Sequence, residues 1–577
     1  MSATMRMTVL VALVLLISAC PNPPAGEDAG TARRDAGTTL GDGGNQTIMD
    51  GGTTDGPVPD AGRDAGAVVE CNVAPSSDPL IRATTHGQLQ GERSGTTRAF
   101  KGIPFAAPPT GDNRFRPPQP PACWSGVRDA TAYGDRCVQR GTGAFLFTGE
   151  EDCLFLNVWT PDGVDGGAQA GLPVMFFIHG GANILGSSNE DGDLGFNLYD
   201  GEKLAKAGNA VVVSTNYRLG PLGFLAHPAL AAEDPHQSSG NYALLDLIAA
   251  LQWVQSNIAT FGGDPARVMI FGESAGALNT CMLVASPLAS GLFGAAIMES
   301  GDCAAPPKAT REAFGRQLAL NVGCTASDGG VAACLRSLTP EALVEETPLA
   351  VDMFKVWDLP FGPNVDGWVL PDAPLAMFQR GEHNKVPFVV GSNAHETELF
   401  LPAVVNTCLD YDLTIRSLFP TIADAALQEY PCLGYLLARW AAVDLSTDML
   451  FTCPARRILR ALDQGQTQPV WRYHYRHARL LGPLALLRSF HASELPFIFG
   501  THTLGGYIPT GGDDAVVDTL QSRWSALAHT HNPNVDGGVS WTEYVTAQDN
   551  TAVLEDPVSL SMGIASDHCD FWDSLVP

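Results

Sequence analysis

Val268-Met269-Ile270-Phe271-Gly272-Glu273-Ser274-Ala275-Gly276 is the stretch on which the fold turns. Four apolar residues suited to a strand buried on both faces run straight into Gly-x-Ser-x-Gly. A serine nucleophile needs a sharp strand-to-helix turn that leaves its hydroxyl exposed, and small flanking residues let that turn approach neighbouring backbone. The pentapeptide alone also describes an ordinary Gly/Ser turn. The strand directly before it makes Ser274 the candidate nucleophile.

Outward from this stretch, Val174–Ile178, Ala210–Ser214 and Val386–Val390 are similarly apolar without alternation, as expected for interior strands of a mostly parallel sheet. Between two of these runs, Asn241–Asn257 places Leu244, Leu245, Ile248, Leu251, Trp253 and Val254 at helical spacing, with Trp253 read as core. Strands separated by helices predict an α/β fold with helices on both faces of one sheet.

Val174–Ile178 leads into His179-Gly180-Gly181-Ala182-Asn183. Small residues after a strand allow backbone N–H groups to converge on a carbonyl oxygen, which is what an oxyanion hole requires. With Ala275 N–H following the nucleophile, the two elements point to acyl transfer. The serine then needs a base and the base an orienting carboxylate, which follow the nucleophile in this architecture as acid and then histidine. Glu396 lies just beyond the strand at 386–390. His474, His477, His491, His502, His529, His531 and His568 all come after it, and local chemistry does not choose among them.

The chain has 577 residues, 45% of them apolar, which supports a large core and excludes a disulfide-dense peptide scaffold. Its 62 acidic against 34 basic residues give a formal charge of −28, with no Lys/Arg run longer than a pair, which argues against nucleic acid as a partner. Arg6, the apolar run Val9–Ile17 and Ser18-Ala19-Cys20 read as an export signal. The ending resembles a bacterial lipobox, so residues 1–19 are expected to be a lipoprotein-type signal peptide and Cys20 the acylated residue, with plain secretion as the alternative. Such a protein is exported and anchored to a membrane rather than spanning it. Residues 21–70 hold 11 Gly, 5 Pro, no aromatic residue and four Asp-Ala-Gly repeats, so 20–70 read as the anchor and a disordered tether. Residues 71–577 show no second low-complexity break and read as one domain.

Twelve cysteines remain beyond Cys20. Cys137/Cys153 and Cys324/Cys334 are close enough in sequence to close small loops. Cys71, Cys123, Cys281, Cys303, Cys408 and Cys432 cannot be paired by arithmetic. No Cys or His cluster has zinc-like spacing, and no metal or cofactor is expected.

The ordered motifs resemble the type-B carboxylesterase/lipase family, which includes cholinesterases and bile-salt-activated lipases. They are Gln119-Pro120-Pro121, Glu151–Val158, His179–Ala182, Asn216–Gly220, Phe261–Pro265, Phe271–Gly276, Ser300-Gly301, Pro363–Gly367 and His491–Pro496. The resemblance implies an α/β-hydrolase fold and a Ser274–Glu396–His491 triad, with Gly181, Ala182 and Ala275 as oxyanion-hole amides. It also implies Ser300 as a serine beside the triad, and disulfides Cys137–Cys153, Cys324–Cys334 and Cys453–Cys569. Glu273 and Asp246 match hydrogen-bonding positions beneath the turn. Three segments depart from the family pattern. His395 and Thr397 flank the acid where the family has Asp and Gly, Arg488-Ser489-Phe490 replaces Gly-x-x before the histidine, and Asn183 replaces an aromatic, which would make the acyl side of the pocket more polar.

The implied activity is hydrolysis of a small-molecule or lipid ester. A general carboxylesterase is favoured over a lipase preferring longer acyl chains, and over a non-catalytic cell-surface binding protein on the same fold. Residues 138–152 contain no Trp, unlike the corresponding cholinesterase loop; Phe145, Leu146 and Phe147 make it apolar instead.

Overall fold

In the strand Leu172–Ile178, Val174, Phe176 and Ile178 enter one core, while Met175 and Phe177 enter a second on the opposite face. Val268 and Ile270 divide from Met269 and Phe271 in the same way. Successive side chains leave a strand on opposite faces, so covering both faces demands the unbroken apolar runs read from the sequence. Each such side chain removed from water contributes roughly 1.5–3 kcal/mol.

The computed structural model describes residues 71–575 except 72, 142–146, 164–170, 190–196, 326–329, 349–359, 402–404, 479–486 and 505–506. The expected signal peptide, Cys20 and tether lie outside the described residues, as do Phe145 and Leu146. Among the described residues, no helix is long and apolar enough to cross a membrane.

The central sheet there has 11 strands. Its parallel core, in spatial order, is Val211–Thr215, Leu172–Ile178, Gly263–Glu273, Ala295–Glu299, Phe388–Asn393, Val470–Tyr475 and Asn550–Leu554. Antiparallel strands Phe155–Pro161, Thr97–Pro104 and Glu92–Ser94 extend one edge, and Ser559–Met562 closes the other. Helices Tyr242–Asn257, Ala275–Ala285 and Cys453–Gly465 cover one face; Glu202–Gly208 and Gly511–Thr530 cover the other. Trp253 is buried in the first core, against Phe261. The α/β-hydrolase architecture expected from the sequence is present. One strand runs Phe388–Asn393 rather than starting at Val386, because Pro387 has no N–H to give the ladder.

A third, smaller core gathers the helices Cys408–Leu418, Ala423–Glu429, Ala438–Thr447 and Ser566–Leu575. The structure pairs Cys137–Cys153, Cys324–Cys334 and Cys453–Cys569, and also Cys71–Cys123, Cys281–Cys303 and Cys408–Cys432, which the sequence left open. Cys453–Cys569 ties the small helical core to the helix Cys453–Gly465, 116 residues apart in sequence.

The strands ending at Ile178, Glu273, Glu299, Asn393 and Tyr475 lie side by side and point the same way. His179, Ser274, Ser300, Glu396 and, further along the chain, His491 all follow their carboxyl ends. Open α/β sheets bind ligands at that edge.

Candidate active site

Ser274 sits between strand Gly263–Glu273 and helix Ala275–Ala285 at φ 57°, ψ −119°. A non-glycine residue there is strained, and such strain persists only where the surroundings over-determine it. The flanking glycines supply that constraint through proximity. A Cβ on Gly276 would lie 2.0 Å from Ile178 O, and one on Gly272 would lie 2.6 Å from the Gly276 backbone. Ser274 N donates to Glu299 O at 2.9 Å, and its side chain is partly exposed.

Gly181, Ala182 and Asn183 all have positive φ, at 103°, 53° and 60°. The loop is stitched by Ile184 N and Leu185 N donating to Gly181 O. Neither Gly181 N nor Ala182 N donates to a backbone acceptor among the described residues. Ala275, as the first helical residue, has an N–H with no intrahelical partner. Beneath the loop, His179 stacks on Tyr217 with centroids 4.4 Å apart, and Tyr217 OH donates to His179 O at 2.7 Å. Burial pulls the His179 imidazole down to about 4, so it stays neutral. Asn183 does not make the pocket wall more polar in the way expected. It is 2% exposed, and its Oδ1 accepts from Asn279 Nδ2 at 2.9 Å. Asp246 grips Arg218 through Nε at 2.8 Å and Nη2 at 2.7 Å, in the segment that carries Tyr217, rather than bonding to the elbow itself.

Glu396 and His491 meet, and the seven histidines left open by local sequence reduce to one. Glu396 is fully buried; its Oε1 accepts from Asn393 N at 2.6 Å and its Oε2 lies 2.7 Å from His491 Nδ1. A carboxylate oxygen accepts, so Nδ1 is the donor in this contact, and Nε2 becomes the basic nitrogen once the imidazole is neutral. His491 N also donates to Glu396 O at 3.2 Å. Phe400 and Phe451 stand against the imidazole, with centroids 5.4 and 5.1 Å away. Among the described residues, no hydrogen bond joins Ser274 Oγ to His491. Nε2 instead has Glu273 Oε1 at 3.1 Å, a charge contact whose alignment falls short of a hydrogen bond. Catalytic hydrogen bonds are often long or poorly aligned before substrate binds.

A model described as the carboxylesterase family matches residues 77–572. The chain belongs to the carboxylesterase family. It is similar to the fumonisin B1 esterase of Sphingopyxis macrogoltabida, at 38% identity over 74% of this chain and 76% of that protein. The para-nitrobenzyl esterase of Bacillus subtilis is 34% identical over 83% of this chain and 96% of its own length. A solved PNB esterase structure superposes with a TM-score of 0.73 at 33% identity, covering 86% of this chain and all of that one. The chain is a carboxylic ester hydrolase.

In this carboxylesterase the surroundings of Glu396 and His491 hold more buried acid than the sequence alone suggested. Glu273, Glu299 and Glu494 are all at most 3% exposed. Glu494, three residues after His491, accepts through Oε2 from Asn393 Nδ2. Burial pushes its carboxyl up to about 8, helped by Glu273 and Glu396. Burial likewise raises Glu273 to about 7, against the pull of His491, and raises Glu299 strongly. Burial alone would lower the His491 imidazole, but Glu273, Glu396 and Glu494 together outweigh it and lift it to about 9. Glu299 Oε1 accepts from Trp524 Nε1 at 2.6 Å. Ser300 follows Glu299 at φ 55°, fully buried, with Oγ lacking a hydrogen-bond partner among the described residues. The sequence signals for the acidic pair were adjacency alone: Glu299 before Ser300, and Glu494 one helical turn from His491. Among the described residues, no group of three or more His, Cys, Asp or Glu could hold a metal ion.

Proposed function

We propose that the chain hydrolyses carboxylic esters through a Ser274–His491–Glu396 triad and an acyl-enzyme. His491 Nε2 takes the Ser274 proton as Oγ attacks the ester carbonyl, while Glu396 holds the imidazole and stabilises its charged form. Oxyanion charge is received by the N–H groups of Gly181, Ala182 and Ala275. The imidazolium protonates the departing alcohol; His491 then activates water, which cleaves the acyl-enzyme and restores Ser274. The observation that carries this reading is the 2.7 Å contact between Glu396 and His491 Nδ1, beside a serine held at a strained strand-to-helix turn.

We favour a general esterase over a long-chain lipase. The relatives are named for chemically different esters (fumonisin B1, para-nitrobenzyl and, in a human protein, cocaine), so acceptance is set by pocket walls more than by the fold. The test is hydrolysis of p-nitrophenyl esters from acetate to palmitate by wild type and Ser274→Ala. Loss of turnover across the series in Ser274→Ala supports the nucleophile, and equal rates refute it. A maximum at palmitate favours the lipase reading, and an inactive wild type favours the binding-protein reading. Residues 1–70 support a further proposal: export with signal removal before Cys20, acylation there, and a tether that holds the hydrolase off the membrane. Cys20→Ala should move the protein from the membrane to the soluble fraction.

A further inference from the structure

The residues that depart from the family pattern on the acid side and on the histidine side of the triad touch one another. His395 N donates to Ser489 O at 3.1 Å, and His395 Nδ1 lies 2.8 Å from Ser489 Oγ. His395 is drawn down to about 3 by burial and by Arg488 and Arg476, so this rung is a neutral one. The next rung is His491 N to Glu396 O, at 3.2 Å. Residues 395–396 and 489–491 therefore lie side by side. From the turn that follows, the Glu398 side chain reaches Arg488, its Oε2 accepting from Nη2 at 2.6 Å.

Glu398 is 4% exposed, and a buried carboxylate persists only when paired and hydrogen-bonded. Its other oxygen accepts from Arg439 Nε at 2.9 Å. Arg439, on the helix Ala438–Thr447, also donates to Glu398 O at 2.6 Å and Leu401 O at 3.1 Å. Those carbonyls belong to and follow the short turn Glu396–Leu399 that carries the acid. Arg488 lies over the Trp440 ring, 4.8 Å from its centroid, beside Arg439 in sequence. It adopts φ 54°, a strained geometry that its surroundings must enforce. Thr397 adds a contact to the same helix, Oγ1 to Ser446 Oγ at 2.6 Å. One carboxylate thus joins three parts: the acid turn, the histidine loop and a helix of the small third core.

We propose that Glu398, gripped by Arg488 and Arg439, is the positioning residue that keeps the Glu396 turn and the His491 loop in register. The inference rests on the triad reading above. Glu398 touches no reacting atom; it acts through the Glu396–His491 hydrogen bond. Two unrelated departures from the family pattern are, on this account, one compensated exchange, in which an ionic bridge and a His–Ser contact hold the two loops together.

The experiment compares wild type, Glu398→Gln, Glu398→Asp, Arg488→Met and the double variant Glu398→Gln/Arg488→Met, with Ser274→Ala alongside. The readouts are kcat and KM for p-nitrophenyl butyrate from pH 5 to 10, with thermal melting followed separately. Glu398→Gln is expected to lower kcat about 10-fold, the scale of a sub-ångström misplacement, with KM within about 2-fold. It should also move the acidic limb of kcat/KM to lower pH, because a loosened Glu396 stabilises the imidazolium less. Glu398→Asp should recover part of kcat, and the double variant should be no worse than the poorer single variant. Unchanged kcat and limb in Glu398→Gln, whatever its melting temperature, or additive losses in the double variant, overturn the proposal. If Glu398→Gln does not fold, Arg488→Lys, which keeps the charge and loses the fork, is read by the same criteria. An active Ser274→Ala would sink the triad reading instead, whereas an inactive one beside a wild-type-like Glu398→Gln sinks this inference alone.

Discussion

Replacing Glu273 with Gln removes the carboxylate nearest His491 Nε2 while keeping its size. In the wild type that oxygen stands 3.1 Å from the nitrogen proposed to accept the Ser274 proton. Two unit charges at that distance, in an effective dielectric of about 20, attract by about 5 kcal/mol. That is an upper bound, since burial opposes it and Glu396 and Glu494 remain; the net effect of all these groups is to lift His491 from 6.5 to about 9. The sign follows directly. On the proposed mechanism His491 works as a base only when neutral, so kcat/KM falls as pH drops through its pKa. With Glu273 neutralised the imidazolium is less favoured, and the acidic limb should move to lower pH by about 1–2 pH units, each unit being about 1.4 kcal/mol. The limb should also sharpen. The Glu273 carboxyl, raised to about 7, exchanges its proton within the same span as that of Glu494, raised to about 8, so its removal leaves one group fewer titrating beside His491. The assay is the pH profile of kcat/KM for p-nitrophenyl acetate over pH 5–10, read by shape so that any change in amplitude does not matter. A limb that stays within about 0.3 pH unit, or moves upward, refutes the argument that this carboxylate sets the basicity of His491.

Other predictions rest on packing and covalent geometry. Gly276→Ala places a Cβ 2.0 Å from Ile178 O, so elbow and strand must part; a loss of about 1–3 kcal/mol in urea unfolding and a fall in kcat are expected, and wild-type values for both would contradict it. Asp246→Asn leaves Arg218 buried without its counter-charge; a cost of about 3 kcal/mol is expected by denaturant titration, and less than about 1 kcal/mol would show that the pair does not support the loop. Replacing Cys453 and Cys569 together by Ala frees a 116-residue loop; loop entropy predicts a loss of about 4–5 kcal/mol, and an unchanged non-reducing melting temperature would count against it.

Ser274 and the Gly181–Ala182 amides stood out as candidates in the sequence because each lies within a few residues of an apolar strand, so local chemistry and local geometry coincide. Glu396 and His491 were reached through family resemblance. They are 95 residues apart, and nothing in the chain between them states that Nδ1 meets Oε2 at 2.7 Å. Asn183 shows the limit of local reading: its polarity suggested a pocket wall, yet positive φ at three successive residues turns it inward against Asn279. Glu299 and Glu494 were missed for the same reason, and Glu273 was read only as a hydrogen-bonding position beneath the turn. Glu273, Glu299 and Glu494 come from three separate segments; the paired strand ends set Glu273 beside Glu299, and Glu273 and Glu494 both act on the His491 imidazole.

By itself the sequence determined the sheet, through apolar runs that require cover on both faces, and the elbow, through glycines placed where a Cβ would strike backbone. Both are consequences of periodicity and sterics over a few residues, which a linear chain displays directly. Only the tertiary structure decided which histidine joins Glu396, where the departing residues His395, Arg488 and Ser489 find their partners, and how far burial and neighbouring carboxylates move the titrating groups. Those depend on distances between segments far apart in the chain, and electrostatic energy in a buried site follows distance and solvent exclusion, neither of which is a property of sequence order.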